Sequence, residues 1–257
     1  MADRADILGC PIDRLSMAET VARCRALIEQ GASAQQMSVN AAKLVALRHD
    51  TRLRRIVTGC DLICADGQSV VWASRVLRDP LPERVAGIDL MNALLGVAEE
   101  HGYRVYFLGA QQDVLERAVE KIRAGHPRLP IAGWRNGYFD QAEQNAVLDA
   151  IRAARPHIIF VAMSSPRKEY WLEENAPRIG PGLVVGVGGS LDVVAGIVRR
   201  APGWMQRLGL EWAFRLLQEP RRLWRRYLTT NLKFVLLLTE ELFTRRARRG
   251  AKPLRGA

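Results

Sequence analysis

Between residues 36 and 187, short apolar runs bounded by turn residues alternate with stretches of helical spacing, and this alternation is the strongest constraint on the fold. Strands are expected at residues 36–40, 62–65, 104–108, around Ile131 and Ala132, at 157–163 and at 183–187. Helices are expected at 41–49, 51–58, from the run Val70, Val71, Trp72 and Val76, and at 90–100, 114–124, 142–154 and 168–175. Strands separated by helices cannot pair as hairpins, so the chain reads as an α/β fold. A mostly parallel, Rossmann-like sheet is flanked by helices on both faces. Ahead of it lie a short strand-like start at residues 7–9 and a capping box, Ser16 with Glu19, which opens a helix to about Gln30.

In such sheets ligands bind outside the carboxyl ends of the strands, so polar residues there are the first candidates for function. The stretch from Asp61 to Asp89 offers one: the strand at 62–65 delivers Asp66 and Gly67 to a turn, with Arg84 and Asp89 shortly after. Asp66 is a candidate general base, and Arg84 and Asp89 are candidate substrate contacts. Asp is also a common helix cap, and Asp66 could serve the following helix in that way. Ser38 and Asn40 occupy the same kind of junction, where Asn40 as an N-cap is the plainer reading. At the end of the strand at 183–187, Gly188, Gly189 and Ser190 can turn backbone N–H groups toward a phosphate, or form a tight turn and nothing more. Arg167 and Lys168 follow another strand end; cations at a helix amino end oppose its dipole, which favours a reason for their presence.

Charge divides the chain in two. Residues 1–198 carry 23 Lys and Arg against 23 Asp and Glu, whereas residues 199–257 carry 15 against 4, so the net charge of +11 lies in the last 59 residues. We therefore expect an α/β catalytic domain over 1–198 and a basic amphipathic helical appendage over 199–257. In the appendage Trp204, Met205, Leu208, Trp212, Trp224 and Tyr227 alternate with arginines. On a single helix Arg215, Arg222 and Arg226 would fall at i, i+7 and i+11, a stripe beside the aromatic residues. This is the composition of a helix in a membrane interface, with arginines, Arg225 included, on lipid phosphates. Nucleic-acid binding competes, but the long aliphatic runs are too apolar for a solvated groove. A core or homo-oligomer interface is the third reading of residues 204–217. No segment reaches the about 20 apolar residues that cross a bilayer. The amino terminus has no secretory pattern, and Cys10, Cys24, Cys60 and Cys64 form no Cys-x-x-Cys pair, which fits reduced thiols in a cytoplasmic protein.

Several segments together resemble the WecG/TagA/CpsF family of glycosyltransferases. They are Ser38-Val39-Asn40, Ala65-Asp66-Gly67, Pro82-Glu83-Arg84-Val85-Ala86-Gly87-Ile88-Asp89, Phe107-Leu108-Gly109 and Gly137-Tyr138-Phe139. Others are Ser165-Pro166-Arg167-Lys168-Glu169, Val187-Gly188-Gly189-Ser190-Leu191-Asp192, Arg200-Ala201-Pro202 and Leu210-Glu211-Trp212 with Arg215. The resemblance spans about Gln36 to Tyr227. It implies inverting transfer of an N-acetylmannosamine-type sugar or a hexose from a UDP-sugar to a polyprenyl-diphosphate-linked saccharide, at the cytoplasmic membrane face, in cell-surface polysaccharide assembly. It also implies Asp66 as the base and Asn40 and Arg84 as substrate contacts.

Two departures stand out. Ser38-Val39-Asn40 replaces the family's usual Thr-Pro-Asn, and Lys168 stands where the family has Gln, which bears on the donor sugar. No Asp-x-Asp is present and His49, His101, His126 and His157 are scattered, so no metal and no cofactor is expected. Charge on the departing UDP would instead be met by backbone N–H groups at Gly188 to Ser190 and by Arg84, Arg215, Arg222 and Arg225. If the tail arginines reach the site, membrane docking and catalysis are coupled. The alternatives are a non-catalytic membrane-surface scaffold and a nicotinamide enzyme. Against the latter stands the missing Gly-x-Gly-x-x-Gly fingerprint.

Overall fold

The computed structural model describes residues 3–250, except the side chains of residues 207, 222, 226 and 248–250. Its first elements are β1 (Arg4–Ile7) and β2 (Cys10–Asp13), paired antiparallel. This corrects the strand expected at 7–9: Leu8 and Gly9 have φ of 56° and 77° and form the hairpin's turn. The Asp6 carboxylate accepts the Gly9 N–H at 2.7 Å and steadies that turn. The hairpin is fixed to the main sheet by Asp13, which accepts the Ile63 N–H at 2.7 Å and pairs with Arg4 at 2.9 Å. Next comes α1 (Met17–Glu29), opened by the expected capping box: Ser16 N–H donates to Glu19 at 2.8 Å, and Ser16 Oγ accepts the Glu19 N–H at 3.3 Å.

The alternating region follows as β3 (Ser33–Val39), α2 (Ala41–His49), α3 (Thr51–Thr58), β4 (Leu62–Ala65), α4 (Gln68–Val76) and α5 (Gly87–His101). It continues with β5 (Val105–Gly109), α6 (Gln112–Gly125), β6 (Ile131–Arg135), α7 (Gln144–Ala154), β7 (Ile158–Ala162), α8 (Arg167–Ile179), β8 (Gly182–Gly186) and α9 (Ser190–Ala195). The six strands order as β4-β3-β8-β7-β5-β6, and all neighbours run parallel. β4, β5 and β7 are buried along their whole length, as expected of strands covered on both faces. Successive side chains divide between two layers. Phe107 and Phe160, stacked with centroids 5.6 Å apart, face α1, α5, α6 and α9, while Leu108, Ile159 and Val161 face α7 and α8. At the other end of the second layer, Met37, Val39 and Ile63 pack under α2, α3 and α4. All four cysteines are buried and unpaired, and burial pushes the Cys10, Cys60 and Cys64 thiols up to about 12.

The basic segment forms α10 (Gly203–Arg207), α11 (Glu211–Gln218) and α12 (Pro220–Gly250). The single helical stripe expected for the arginines is corrected here. The chain leaves helical geometry at Glu219 (φ −129°, ψ 59°), so Arg215 lies on α11 and Arg222 and Arg226 on α12. Trp212 meets Tyr227 edge-on at 6.1 Å and packs the two helices together. Farther along, Phe234 is buried in the cluster that holds Val39 and Leu44, and Arg48 pairs with Glu240 at 3.1 Å. Arg245 donates to the Asp6 carbonyl at 2.7 Å, so the far end of α12 lies against the hairpin. Among the described residues no helix is long and apolar enough to cross a membrane.

Candidate active site

The carboxyl ends of β3, β4, β7 and β8 lie along one edge of the sheet, and sheet order alone brings these remote strand ends together. Asp66 follows β4. Its N–H donates to the Val39 carbonyl at 2.8 Å, which holds the residue against the end of β3. The helix after it is capped by Gly67 with no side-chain hydrogen bond, so Asp66 does not cap that helix. Its Oδ1 instead accepts the Gly87 N–H at 3.2 Å. Val85 N–H donates to the Ala65 carbonyl at 2.9 Å, and together these bonds lay the segment bearing Arg84 across the end of β4. Gly87 faces Ser38 and Asp66: a Cβ there would lie in ordinary contact, 3.6 Å from Ser38 Oγ and 3.8 Å from Asp66 Oδ2.

Burial pushes the Asp66 carboxyl from 3.8 up to about 6. The Gly87 N–H and the charges of Arg84 and Arg215 pull the other way, and Glu211 adds to the rise. A carboxylate in this state is ionised at neutral pH and still basic enough to take a proton, the property a general base requires.

Above Asp66 sits a four-membered charge network that local sequence did not reveal. Arg84 pairs closely with Glu211, Arg200 pairs with Asp89 at 2.7 Å and Glu211 at 3.4 Å, and Arg84 lies 3.9 Å from Asp89. Arg200 and Glu211 were visible only as members of matching motifs. Their pairing depends on the segment before α11 folding back onto α4. Gly209 (φ 69°) makes that contact, where a Cβ would stand 2.6 Å from the Gln68 side chain.

The remaining expected residues divide. Asn40 caps α2, accepting the Lys43 N–H at 3.0 Å, as its plainer reading holds, while Gly67 packs beside it. Ser38 Oγ lies beside Gly87 and accepts from Gln36 at 3.2 Å. Gly188 takes φ 52°, and Gly189 opens α9. Ser190 turns inward: its N–H and its hydroxyl both donate to the Val187 carbonyl, at 3.1 and 2.7 Å. Arg167 donates to the Gly137 carbonyl at 2.9 Å, whereas Lys168 is buried under the end of β8. On the tail Arg215 is exposed but close enough for Asp66 to feel its charge, and Arg225 stacks on Trp224 at 5.2 Å. The Arg222 and Arg226 side chains lie outside the described residues.

A parallel α/β sheet with a desolvated carboxylate and arginines at its carboxyl edge is the arrangement found at the sites of many α/β enzymes. The family model described as Glycosyl transferase WecG/TagA/CpsF family matches residues 5–248, and the chain belongs to that family. Three curated relatives, each an N-acetylglucosaminyldiphosphoundecaprenol N-acetyl-beta-D-mannosaminyltransferase, extend the comparison. That of Bacillus spizizenii is 36% identical over 79% of this chain and 75% of its own length. The Bacillus subtilis protein is 35% identical over 83% and 82%, and the Staphylococcus aureus protein 32% identical over 86% and 87%.

Proposed function

We propose that the chain is an inverting, metal-independent glycosyltransferase acting at the inner face of the plasma membrane in cell-surface polysaccharide assembly. It moves an N-acetylmannosamine-type sugar or a hexose from a UDP-sugar to a saccharide carried on a polyprenyl diphosphate. The observation that carries this reading is the Asp66 carboxylate, desolvated to about pH 6 between Gly87 and the Arg84 and Arg215 charges. Acceptor hydroxyls are poor nucleophiles at neutral pH. Asp66 takes the proton as the acceptor oxygen bonds to the anomeric carbon. The bond from that carbon to the β-phosphate oxygen breaks, and its electron pair leaves with UDP. Attack from the face opposite the leaving group inverts the centre.

Charge growing on the diphosphate is met by Arg84 and Arg215, with the N–H groups of Gly188 and Gly189 nearby. Asp89 and Glu211 hold Arg84 in place, while Ser38 and Asn40 border the sugar. What supports a membrane acceptor is the tail beside this edge: Trp204, Leu208, Trp212, Trp224 and Leu228 are exposed, and Arg215 and Arg225 accompany them. Arginines beside exposed Trp and Leu suit lipid phosphates over an acyl boundary. The same names borne by the relatives support an N-acetylglucosaminyl-diphosphate lipid as the first acceptor to try.

The test is UDP release from a panel of UDP-sugars with that acceptor, in EDTA, alongside flotation with anionic vesicles. Turnover in wild type, lost in Asp66→Asn, is expected. Vesicle binding with no turnover on any donor would leave a scaffold in its place.

A further inference from the structure

Lys168 lies in the first turn of α8, and its side chain runs beneath the end of β8. A Cβ on Gly186 would be 2.6 Å from its Nζ, so the ammonium occupies the room a side chain there would take. It is 4% exposed. Beside it Lys43, from α2, donates to Glu169 Oε1 at 2.8 Å. Lys168 Nζ is 3.7 Å from the same oxygen, beyond hydrogen-bond reach. One buried carboxylate therefore faces two buried ammoniums, and Glu169 Oε2 has no hydrogen-bond partner. Lys43 and Lys168 hold Glu169 below the usual carboxylate range against the opposing effect of burial, so this carboxylate stays charged. Burial and then the Lys43 charge push the Lys168 ammonium down to about 8, which leaves most of it charged at neutral pH. Asp66 attracts it as well, but Asp66 also answers to the charges of Arg84 and Arg215.

Lys43, Lys168 and Glu169 together thus carry one cation in excess beside Gly186 at the end of β8, with Lys168 at the positive end of a helix where a lysine is disfavoured. An ammonium taken out of water without a matched partner is disfavoured. An arriving anion supplies the partner.

We infer that Lys168, backed by Lys43, binds an anionic oxygen of the nucleotide-sugar donor, carried by its diphosphate or by a carboxylate on its sugar, and so selects the donor. This inference rests on the UDP-sugar reading above. Two neutral variants test it. Lys168→Gln leaves Lys43 and Glu169 as a matched pair, so it should fold with an unchanged or higher Tm; Lys168→Met keeps the length of the side chain without its charge.

Calorimetric titration of the full chain with UDP, UDP-glucose and UDP-glucuronate separates the sources. Loss of tenfold or more in UDP affinity in both variants assigns the contact to the diphosphate. Equal UDP affinity, with a wild-type preference of tenfold or more for UDP-glucuronate over UDP-glucose that both variants erase, assigns it to the sugar carboxylate. Variants that bind all three within twofold of wild type overturn the inference, whatever their Tm. If wild type binds none of the three, the UDP-sugar reading falls and takes the inference with it.

Discussion

Replacing Asp66 by Asn should cut turnover sharply and stabilise the protein, and the two effects have one cause. The rise of the Asp66 carboxyl from 3.8 to about 6 comes first from burial. At 1.36 kcal/mol per pH unit it corresponds to ~3 kcal/mol against the charged form. Asp66 keeps partial exposure, so solvent screening reduces this to ~1–2 kcal/mol. A carboxyl whose folded pKa lies above its unfolded one holds its proton more tightly when folded. Its stabilising contribution is therefore complete below about pH 4 and is lost as pH rises through about 6.

Asn is neutral and its oxygen can still accept the Gly87 N–H. Asp66→Asn should then match wild-type stability at pH 4 and exceed it by ~1–2 kcal/mol at pH 8, a Tm gain of roughly 3–6 °C. Loss of general-base catalysis should cost 10²–10⁴-fold in kcat. Wild-type kcat/KM should fall tenfold per pH unit below about 6. Differential scanning calorimetry at the two pH values and UDP-release assays from pH 4.5 to 8 read these outcomes. An Asp66→Asn protein with turnover within threefold of wild type, or a Tm gap that does not change with pH, would refute the reasoning.

Other consequences follow from the tail's contacts. In Glu211→Gln, a charge that raises the Asp66 pKa is removed, so the acid limb of the pH–rate profile should move to lower pH while kcat/KM falls as Arg84 loses its partner; an unmoved limb counts against the network. Gly209→Ala would place a Cβ 2.6 Å from Gln68 in a left-handed conformation, and should cost ~2–4 kcal/mol in urea unfolding together with turnover on a lipid acceptor. Phe234→Ala, in the cluster beneath α2, should cost ~3–5 kcal/mol; a loss under 1 kcal/mol would mean that α12 does not dock there.

The α/β class, the parallel sheet and the placing of Asp66, Ser38 and Lys168 at strand ends were legible in the sequence. Each rests on local periodicity: buried runs such as Ile158–Ala162 have one way of being covered, and a strand must end where its apolar run ends. The capping box at Ser16 is equally local and appears as expected. Where local signals mislead, the reason is specific. Leu8 gives no cue for a left-handed turn, since leucine disfavours it, so the β1–β2 hairpin was missed. The break at Glu219 did have a local cue, since Pro220 disfavours helical geometry in the residue before it and opens α12; spacing alone had placed the arginines on one stripe.

Only the tertiary structure decided what surrounds Asp66. Glu211 reaches Arg84 across 127 residues and Arg200 reaches Asp89 across 111, while Glu169 meets Lys43 across 126. Such pairs follow from sheet order and from the docking of α10 to α12 on the body, and no local period encodes either. The energy of a charge depends on which side chains share its cavity and how much water they exclude. The sequence could therefore name Asp66 as a carboxylate at a strand end, and packing alone set its affinity for a proton.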